Sequence, residues 1–469
     1  MKVCSVVFNT ISRDARVLKE AASLRAAGYD VTVIGLTDIV VKAVSETLDN
    51  GVKLVRVDPI TIIDKIEAKI KRVLVLLGII LGVVAVTIAV TQTQDIAFTL
   101  PMVVTQIYES PLGMLFLVVT VGMLIVGATK LRQLRQAFRR FLAGKSIYFI
   151  KMLGLYLEAR RVAPDVIHSH DAITLPIGVA LKVTTRGLLI YDAHEIYEEV
   201  AQSSPRRAKI YRTIHRLCQR RVDGFITINR SIAQWYAEHY RQLPPAVVVK
   251  NATNMAGPID YDGRLHEAAG LPPERKILLY QGGFSKKRGL EYLVAAARHL
   301  SDDWTLVMMG WGTLEDELRG VSEQINNERG AQGCLHAIVF IPPAPHQELA
   351  LWTAGGTVGI IPYENIGLNH WFCTPNKLWE YPNAALPVLV SPFPELSAPV
   401  LEYGFGWLLP EDQEPQALGQ LIMSLGSEQI AEARANCGVF MQADNWQFYA
   451  EKLVDLYRSL EPRIARSSR

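Results

Sequence analysis

This 469-residue chain is poor in cysteine: Cys4, Cys218, Cys334, Cys373 and Cys437 are scattered, odd in number and free of CxxC spacing. The pattern points to a reducing compartment and argues against a disulfide framework or a cysteine-bound zinc. A formal net charge of +3 is too small to indicate a nucleic-acid partner. The first strand-to-helix turn, Asn9-Thr-Ile-Ser-Arg-Asp-Ala-Arg16, has no GxGxxG glycines. A dinucleotide dehydrogenase loses its main support there.

One absence is local. From Val73 to Thr129 there is no Lys and no Arg. The gap holds two apolar runs, Val73–Val90 and Leu112–Ala128, of 18 and 17 residues. Lys65, Lys69, Lys71 and Arg72 precede it; Lys130, Arg132, Arg135, Arg139 and Arg140 follow it. A helix rises about 1.5 Å per residue and a hydrocarbon core is about 30 Å thick, so each run is just long enough to cross. Basic flanks on both sides place both ends in the cytoplasm and the tip, with Asp95 and Glu109, on the far side. The expectation is a membrane hairpin, spanning or re-entrant, inserted into an otherwise ordinary enzyme. A basic amphipathic stretch, Leu131–Arg161, follows it and suits either a membrane surface or a domain surface.

Outside this insertion the pattern alternates strand and helix. Lys2–Phe8, Val31–Leu36, Val52–Val57, Val166–His168, Leu188–Tyr191, Gly224–Ile228 and Val247–Lys250 read as buried strands. A second series begins at Ile277–Gln281 and continues through Trp304–Met309, Ala337–Ile341, Val358–Ile361 and Val388–Val390. The fold class is therefore α/β. The expected division is an N-terminal domain at 1–250, a linker at 251–273 and a C-terminal domain at 274–440. A terminal helical segment, 441–469, packs back on the first domain. Two doubly wound parallel sheets place ligands outside the carboxyl ends of their strands, hence in the cleft between the domains.

Chemistry-bearing residues collect at those strand ends. Arg13 and Arg16, beside a helix N-terminus, either face an anion or stand solvated. Asp165-Val-Ile-His-Ser-His-Asp171 presents His168, His170 and Asp171, and Tyr191-Asp-Ala-His-Glu195 presents Asp192, His194 and Glu195. Neither pattern specifies a metal site, and no metal or cofactor is expected. In Gln281-Gly-Gly-Phe-Ser-Lys-Lys-Arg-Gly289, Gly282 and Gly283 let backbone approach a ligand, and Lys286, Lys287 and Arg288 offer charge to phosphate. In Thr374-Pro-Asn-Lys-Leu-Trp-Glu-Tyr381, Thr374 suits a helix cap and Pro375 its first position. The amides of Asn376 and Lys377 then face an anion, and Glu380 can accept both hydroxyls of a ribose diol.

Taken in order, these segments resemble glycosyltransferase family 4, retaining enzymes of GT-B fold. The resemblance rests on Arg16-Val-Leu-Lys-Glu-Ala with Ala27-Gly-Tyr-Asp-Val-Thr-Val, on the two histidine motifs, and on Pro375-Asn-Lys-Leu-Trp-Glu-Tyr followed by Ala384-Ala-Leu-Pro-Val. It covers nearly the whole chain except about 60–150. It implies two facing Rossmann-like domains, the N-terminal one for the acceptor and the C-terminal one for the nucleotide-sugar. It places His170 near the reacting sugar, Glu380 on the ribose, Asn251 at the interdomain position, and Arg288 and Lys377 against the leaving diphosphate. Gly282, Gly283, Lys287, Thr374, Pro375 and Asn376 complete the donor side; Arg13, Arg16, Asp171, His194 and Glu195 form the acceptor side. Two positions depart from the family: its first donor-site glutamate falls on Phe372, and its phosphate-turn arginine on Gly283.

The expected activity is metal-independent transfer of a sugar, with retention, from a UDP-sugar. The hairpin points to a lipid-linked acceptor such as a polyprenyl diphosphate glycan, at the cytoplasmic face of a bacterial inner membrane. A homo-oligomer or a polysaccharide-assembly partner fits that role. Two alternatives are a nucleotide-sugar epimerase and a nucleotide-sugar-binding membrane scaffold without turnover.

Overall fold

The structure, a computed structural model, describes residues 1–70 apart from 13, 39 and 43; residues 72, 73, 76, 80 and 144; and residues 147–467 apart from 201–203, 258 and 332–335. Two parallel sheets dominate it. The first has eight strands: β1 (Lys2–Val6), β2 (Asp30–Leu36), β3 (Ser45–Thr47), β4 (Lys53–Val57), β5 (Val166–His170), β6 (Leu188–Ala193), β7 (Gly224–Thr227) and β8 (Ala246–Val248), in the order β3-β4-β2-β1-β5-β6-β7-β8. The second has six: β9 (Lys276–Gly283), β10 (Trp304–Trp311), β11 (Ile338–Ile341), β12 (Val358–Ile361), β13 (Val388–Val390) and β14 (Gly406–Leu408), in the order β11-β10-β9-β12-β13-β14. Only β3 runs antiparallel to its neighbour. In each sheet the strand order reverses, at β1 and β5 in the first and at β9 and β12 in the second. The carboxyl ends at such a reversal form a crevice for ligand.

Local chemistry explains the elements that shape this crevice. Helix α1 (Ala15–Ala26) is capped by the Asp14 carboxylate, which accepts from the Val17 amide at 3.2 Å. Its Val17, Ala21 and Leu24 repeat at helical spacing and are fully buried. Helix α2 (Ile147–Val162) buries Ile150, Leu155 and Ala159 against the first sheet. This half of the basic stretch is thus an ordinary domain helix, because its apolar face is used by the core. Helix α3 (Asp171–Thr185) follows β5 directly, and helix α4 (Pro205–Cys218) packs beside α3. In the second domain helix α5 (Lys377–Asn383) lies at the cleft.

The expected Thr374 cap is not formed. The helix starts at Lys377, and the Thr374 hydroxyl lies 3.4 Å from Asn229 Nδ2 across the cleft. A tertiary partner has displaced the local one. The expected terminal helical segment is α6 (Trp446–Ser467), preceded by helices at Pro415–Ser424 and Ser427–Ala443. Gly426 and Asn445 stand at the breaks, and the Asn445 side chain accepts from the Gln447 amide at 2.9 Å. Strands β3 and β14 escape sequence reading because they are three-residue edge segments, the first wholly exposed.

Helix α6 crosses back to the first domain. Trp446, Tyr449, Leu453, Tyr457 and Leu460 are buried along one face. The Trp446 indole donates to Ser23 Oγ at 3.0 Å and the Tyr29 hydroxyl to Glu461 at 2.8 Å. Apart from Val73, Leu76 and Ile80, which are helical and exposed, the expected hairpin at 73–128 lies outside the described residues, as does the 131–143 half of the basic stretch. Among the described residues no helix is long and apolar enough to cross a membrane.

Tyr457 is fully buried, with its hydroxyl 2.9 Å from His168 Nδ1. Replacing it with Phe orphans that nitrogen and costs about 1–2 kcal/mol. Tyr457→Ala adds a cavity, for a total of about 3–5 kcal/mol. Denaturant unfolding of both variants against the parent chain measures the two steps.

Candidate active site in the interdomain cleft

A cavity of about 600 Å³ opens between the two sheets. Gly282, Arg288, Thr374, Pro375, Asn376, Lys377 and Glu380 line it from the C-terminal side, and His194, Glu195 and Asn251 from the N-terminal side. A second cavity of about 370 Å³, bordered by Asn9, Asp14, Arg16 and Lys19, shares His194, Asn251 and Asn376 with the first. Hydrogen bonds tie the domains beside the cleft: Asn229 Nδ2 donates to the Phe372 carbonyl at 2.7 Å, and the Ile196 amide donates to Asn369 Oδ1 at 2.9 Å.

The C-terminal wall is cationic. Lys377 is buried, with its ammonium 4.9 Å from the ring centre of Tyr280 and 5.5 Å from that of Tyr363. Burial pulls its pKa below the ordinary lysine value. Arg288 donates to the Tyr363 hydroxyl at 3.2 Å. Burial opposes its charge, but Tyr363 and Tyr280 outweigh this and raise its pKa. Among the described residues no carboxylate forms an ion pair with either cation. Two desolvated cations without a counter-ion suit an anionic ligand.

Backbone shape keeps this wall open. Gly282 has φ +128°, and a Cβ there would stand 3.1 Å from the Lys377 ammonium. Gly289 has φ +66°, and a Cβ there would collide with the Pro362 carbonyl. Glu380 is held by Gln281, whose Nε2 donates to it at 3.1 Å while its Oε1 accepts from Thr353 at 2.7 Å. Of the other expected donor residues, Gly283 at the end of β9 and Lys287 on the turn that follows do not line the cavity. A Cβ on Gly283 would meet only the Trp311 carbonyl, at 3.9 Å, so the position is roomy.

The N-terminal wall is a buried ion network. Arg16 donates through Nε and Nη2 to the two oxygens of Asp192, each at 3.1 Å. The guanidinium also meets Glu20 at 3.0 Å, the Val249 carbonyl at 2.7 Å and Asn251 Oδ1 at 3.0 Å. Arg16 is therefore not solvated: it borders the smaller cavity, with its donors engaged inside the domain. Arg13 lies outside the described residues. Burial alone would raise the Asp192 pKa, but Arg16 and His194 hold it well below the usual carboxylate range. Burial raises that of Glu20.

The histidines divide their roles. His170 is fully buried and borders neither cavity; its Nδ1 lies 3.4 Å from Asp192. Its ring stands behind His194, with centres 5.6 Å apart. On the N-terminal wall the imidazole that lines the cavity is His194, and His170, expected near the reacting sugar, lies behind it. His194 Nε2 is 3.0 Å from Asp192 and Nδ1 is 3.2 Å from Asp171. Burial opposes its charge, but the two carboxylates outweigh it and lift the pKa to about 9. Asp171 also accepts from Tyr197 at 2.5 Å and does not reach the cavity, whereas Glu195 lines it with its pKa raised by burial.

One ligand atom from each of Glu20, His168, His170 and Asp192 lies within 4.8 Å of the others. This is the set among the described residues that could hold a metal. The Arg16 guanidinium already rests against both carboxylates, so positive charge is supplied there by the chain itself. The triplet Asp260-Tyr261-Asp262 lies elsewhere, with Asp262 paired to Arg264. Sequence reading missed Gln281, Tyr363 and Asn229, whose positions depend on contacts between distant segments. Lys19 was also missed; it donates to the Ala252 carbonyl at 2.5 Å, and burial lowers its pKa to about 8.

Comparisons with known proteins agree with this geometry. Residues 118–256 match the model of Glycosyltransferase Family 4, and residues 275–428 that of Glycosyl transferases group 1. An uncharacterized glycosyltransferase of Methanocaldococcus jannaschii is 23% identical over 317 residues, 63% of this chain and 75% of that one. A D-inositol 3-phosphate glycosyltransferase of Catenulispora acidiphila is 26% identical over 199 residues, 40% of this chain and 46% of its own length. Among solved structures, sucrose-phosphate synthase from Thermosynechococcus elongatus superposes with a TM-score of 0.65 at 16% identity, covering 99% of this chain and all of that one. HepE of Anabaena in complex with UDP superposes at 0.61 and 13% identity, covering 98% of this chain and all of its own. At these identities the structural likeness shows the fold, which is GT-B-like. With the two family matches it supports a glycosyltransferase of family 4 type.

The raised pKa of His194 fixes a sign. Its charged form contributes stability that is fully present below its ordinary value of 6.5 and is lost as pH rises through about 9. Asp192→Asn lowers that pKa, measured by imidazole NMR titration, and leaves Arg16 buried without its main partner. The accompanying loss of stability is about 3–5 kcal/mol by denaturant unfolding.

Proposed function

We propose that this protein transfers a sugar, with retention, from a UDP-sugar to a lipid-linked glycan at the cytoplasmic face of a membrane. The observation that carries the donor half is the pair of cations, half-buried Arg288 and buried Lys377, that line the cavity with no carboxylate ion-paired to them among the described residues. The hard step is departure of the diphosphate. Fixed cations where that charge develops stabilise the transition state more than the ground state. Glu380, oriented by Gln281, accepts the ribose diol. The UDP and UDP-glucose complexes of HepE support a uridine donor in a cleft of this fold.

The acceptor enters from the N-terminal side, past His194, Glu195 and the smaller cavity. The imidazolium of His194, held by two carboxylates, is a fixed charge near the reacting carbon. The acceptor hydroxyl attacks from the face the nucleotide leaves. The segment 73–129, free of Lys and Arg, with its basic flanks supports a membrane anchor. Anchoring confines enzyme and lipid-linked acceptor to one surface and raises their effective concentration.

The test is a panel of UDP-, GDP- and ADP-sugars incubated with detergent-purified protein, with and without a lipid extract of the source cell. Release of nucleoside diphosphate that requires one UDP-sugar and the lipid supports the reading. Donor binding without turnover supports a scaffold instead. Lys377→Met and Arg288→Met each lower kcat by on the order of 10²–10³-fold. Glu380→Ala weakens donor binding by about 10–100-fold, since a buried diol loses a charged acceptor. Deleting Val73–Thr129 leaves turnover of a soluble acceptor intact and abolishes that of the lipid-linked one.

A further inference from the structure

Helix α4, with the turn that follows it to Arg221, carries a face that nothing among the described residues covers. Arg206, Lys209, Ile210, Arg216, Leu217 and Arg220 are all exposed and recur at helical spacing. The opposite face buries Tyr211, His215 and Cys218 in the domain core. From Pro205 to Arg221 there are seven Lys and Arg and no Asp or Glu. Among the described residues no carboxylate forms an ion pair with any of these cations. Their recorded side-chain partners are neutral: Arg207 meets Tyr211, and Arg220 meets Gln242. Two apolar side chains stand in the same row, Ile210 at 58% and Leu217 at 75% exposure.

The position of this face adds a second observation. The helix at 59–70, which precedes the segment 71–146, and α2, which follows it, pack together through Ile63 and Ile150. Tyr148 and Phe149, at the start of α2, are exposed, and Tyr148 lies within electrostatic range of Tyr211 and Arg207 of α4. Cations and apolar rings thus continue from α4 to the start of α2. Arg207 is also within electrostatic range of Glu195, which lines the cleft.

We infer that the exposed face of α4 docks on an anionic lipid surface. The cations meet headgroup phosphates, and Ile210 and Leu217 enter the boundary of the acyl chains. A nucleic acid would match the charge but not the apolar residues or their continuity with Tyr148 and Phe149. Docking here fixes the tilt of the N-terminal domain, so that the mouth of the cleft beside Glu195 faces the headgroup layer. The inference builds on the membrane reading above but stands on different residues, and the two fail separately. An inserted hairpin resists a high-salt wash, whereas an electrostatic face is released by it.

The experiment uses the full chain in nanodiscs of phosphatidylcholine, alone or with phosphatidylglycerol. A fluorophore is placed at Leu217→Cys, and at Leu401→Cys on the C-terminal domain as a control, with the native-thiol background taken from the parent chain. Quenching by lipid-borne nitroxides is the readout. The expected result is quenching at position 217 only, in the anionic disc only, and reversed by high salt. Changing Arg206, Lys209, Arg216 and Arg220 to Gln shifts that equilibrium by on the order of a hundredfold or more, with the folded state checked by circular dichroism. Equal quenching in both lipids, or none, overturns the inference. So does displacement from the anionic disc by short DNA as effective as that by salt. If the chain does not insert, vesicles of the same two compositions replace the discs and the same outcomes decide.

Discussion

The guanidinium of Arg16 is the contact on which the N-terminal half of the cleft depends. It joins the start of α1 to the end of β6 through Asp192, and both to the interdomain segment through Val249 and Asn251. Charge burial explains why this geometry is kept. A carboxylate inside the domain is tolerated only if paired, and Asp192 is paired on one side by Arg16 and on another by His194. The same carboxylate that satisfies a structural arginine therefore also positions the imidazole facing the cavity. Structure and chemistry share one anion.

The other wall is built on the opposite rule. Arg288 and Lys377 are desolvated and flanked by tyrosine rings, with no carboxylate paired to them among the described residues. A charge left in that state disfavours the empty cleft and favours an anionic ligand. One half of the site is thus internally neutralised and the other is completed by substrate. That asymmetry matches a donor that brings a diphosphate and an acceptor that brings a hydroxyl.

Much of this was legible in the sequence, for physical reasons. Parallel strands buried on both faces read as apolar runs, so the long strands such as β1, β2 and β10 were visible; the polar edge strand β3 was not. Gly282, Lys377 and Glu380 were found because a strand-to-helix turn and a Pro-Asn-Lys run carry local signals. His194 and His170 both sit at strand ends, and only tertiary depth separates the fully buried one from the half-buried one that lines the cavity. Arg16 looked like a surface cation because its partners, Asp192 and Asn251, lie 176 and 235 residues away. Thr374 looked like a cap because local rules cannot anticipate Asn229 across the cleft. The basic row on α4 carries no local motif, and its meaning comes from what surrounds it.

The central claim is that the uncompensated cations of the cleft exist to hold a diphosphate. Titration calorimetry of the parent chain with UDP and with uridine tests it most directly. The account predicts that UDP binds and that uridine binds at least a hundredfold more weakly, with the difference largely abolished in a Lys377→Met, Arg288→Met double variant. Equal affinity for UDP and uridine, or a difference that survives in the double variant, would contradict it.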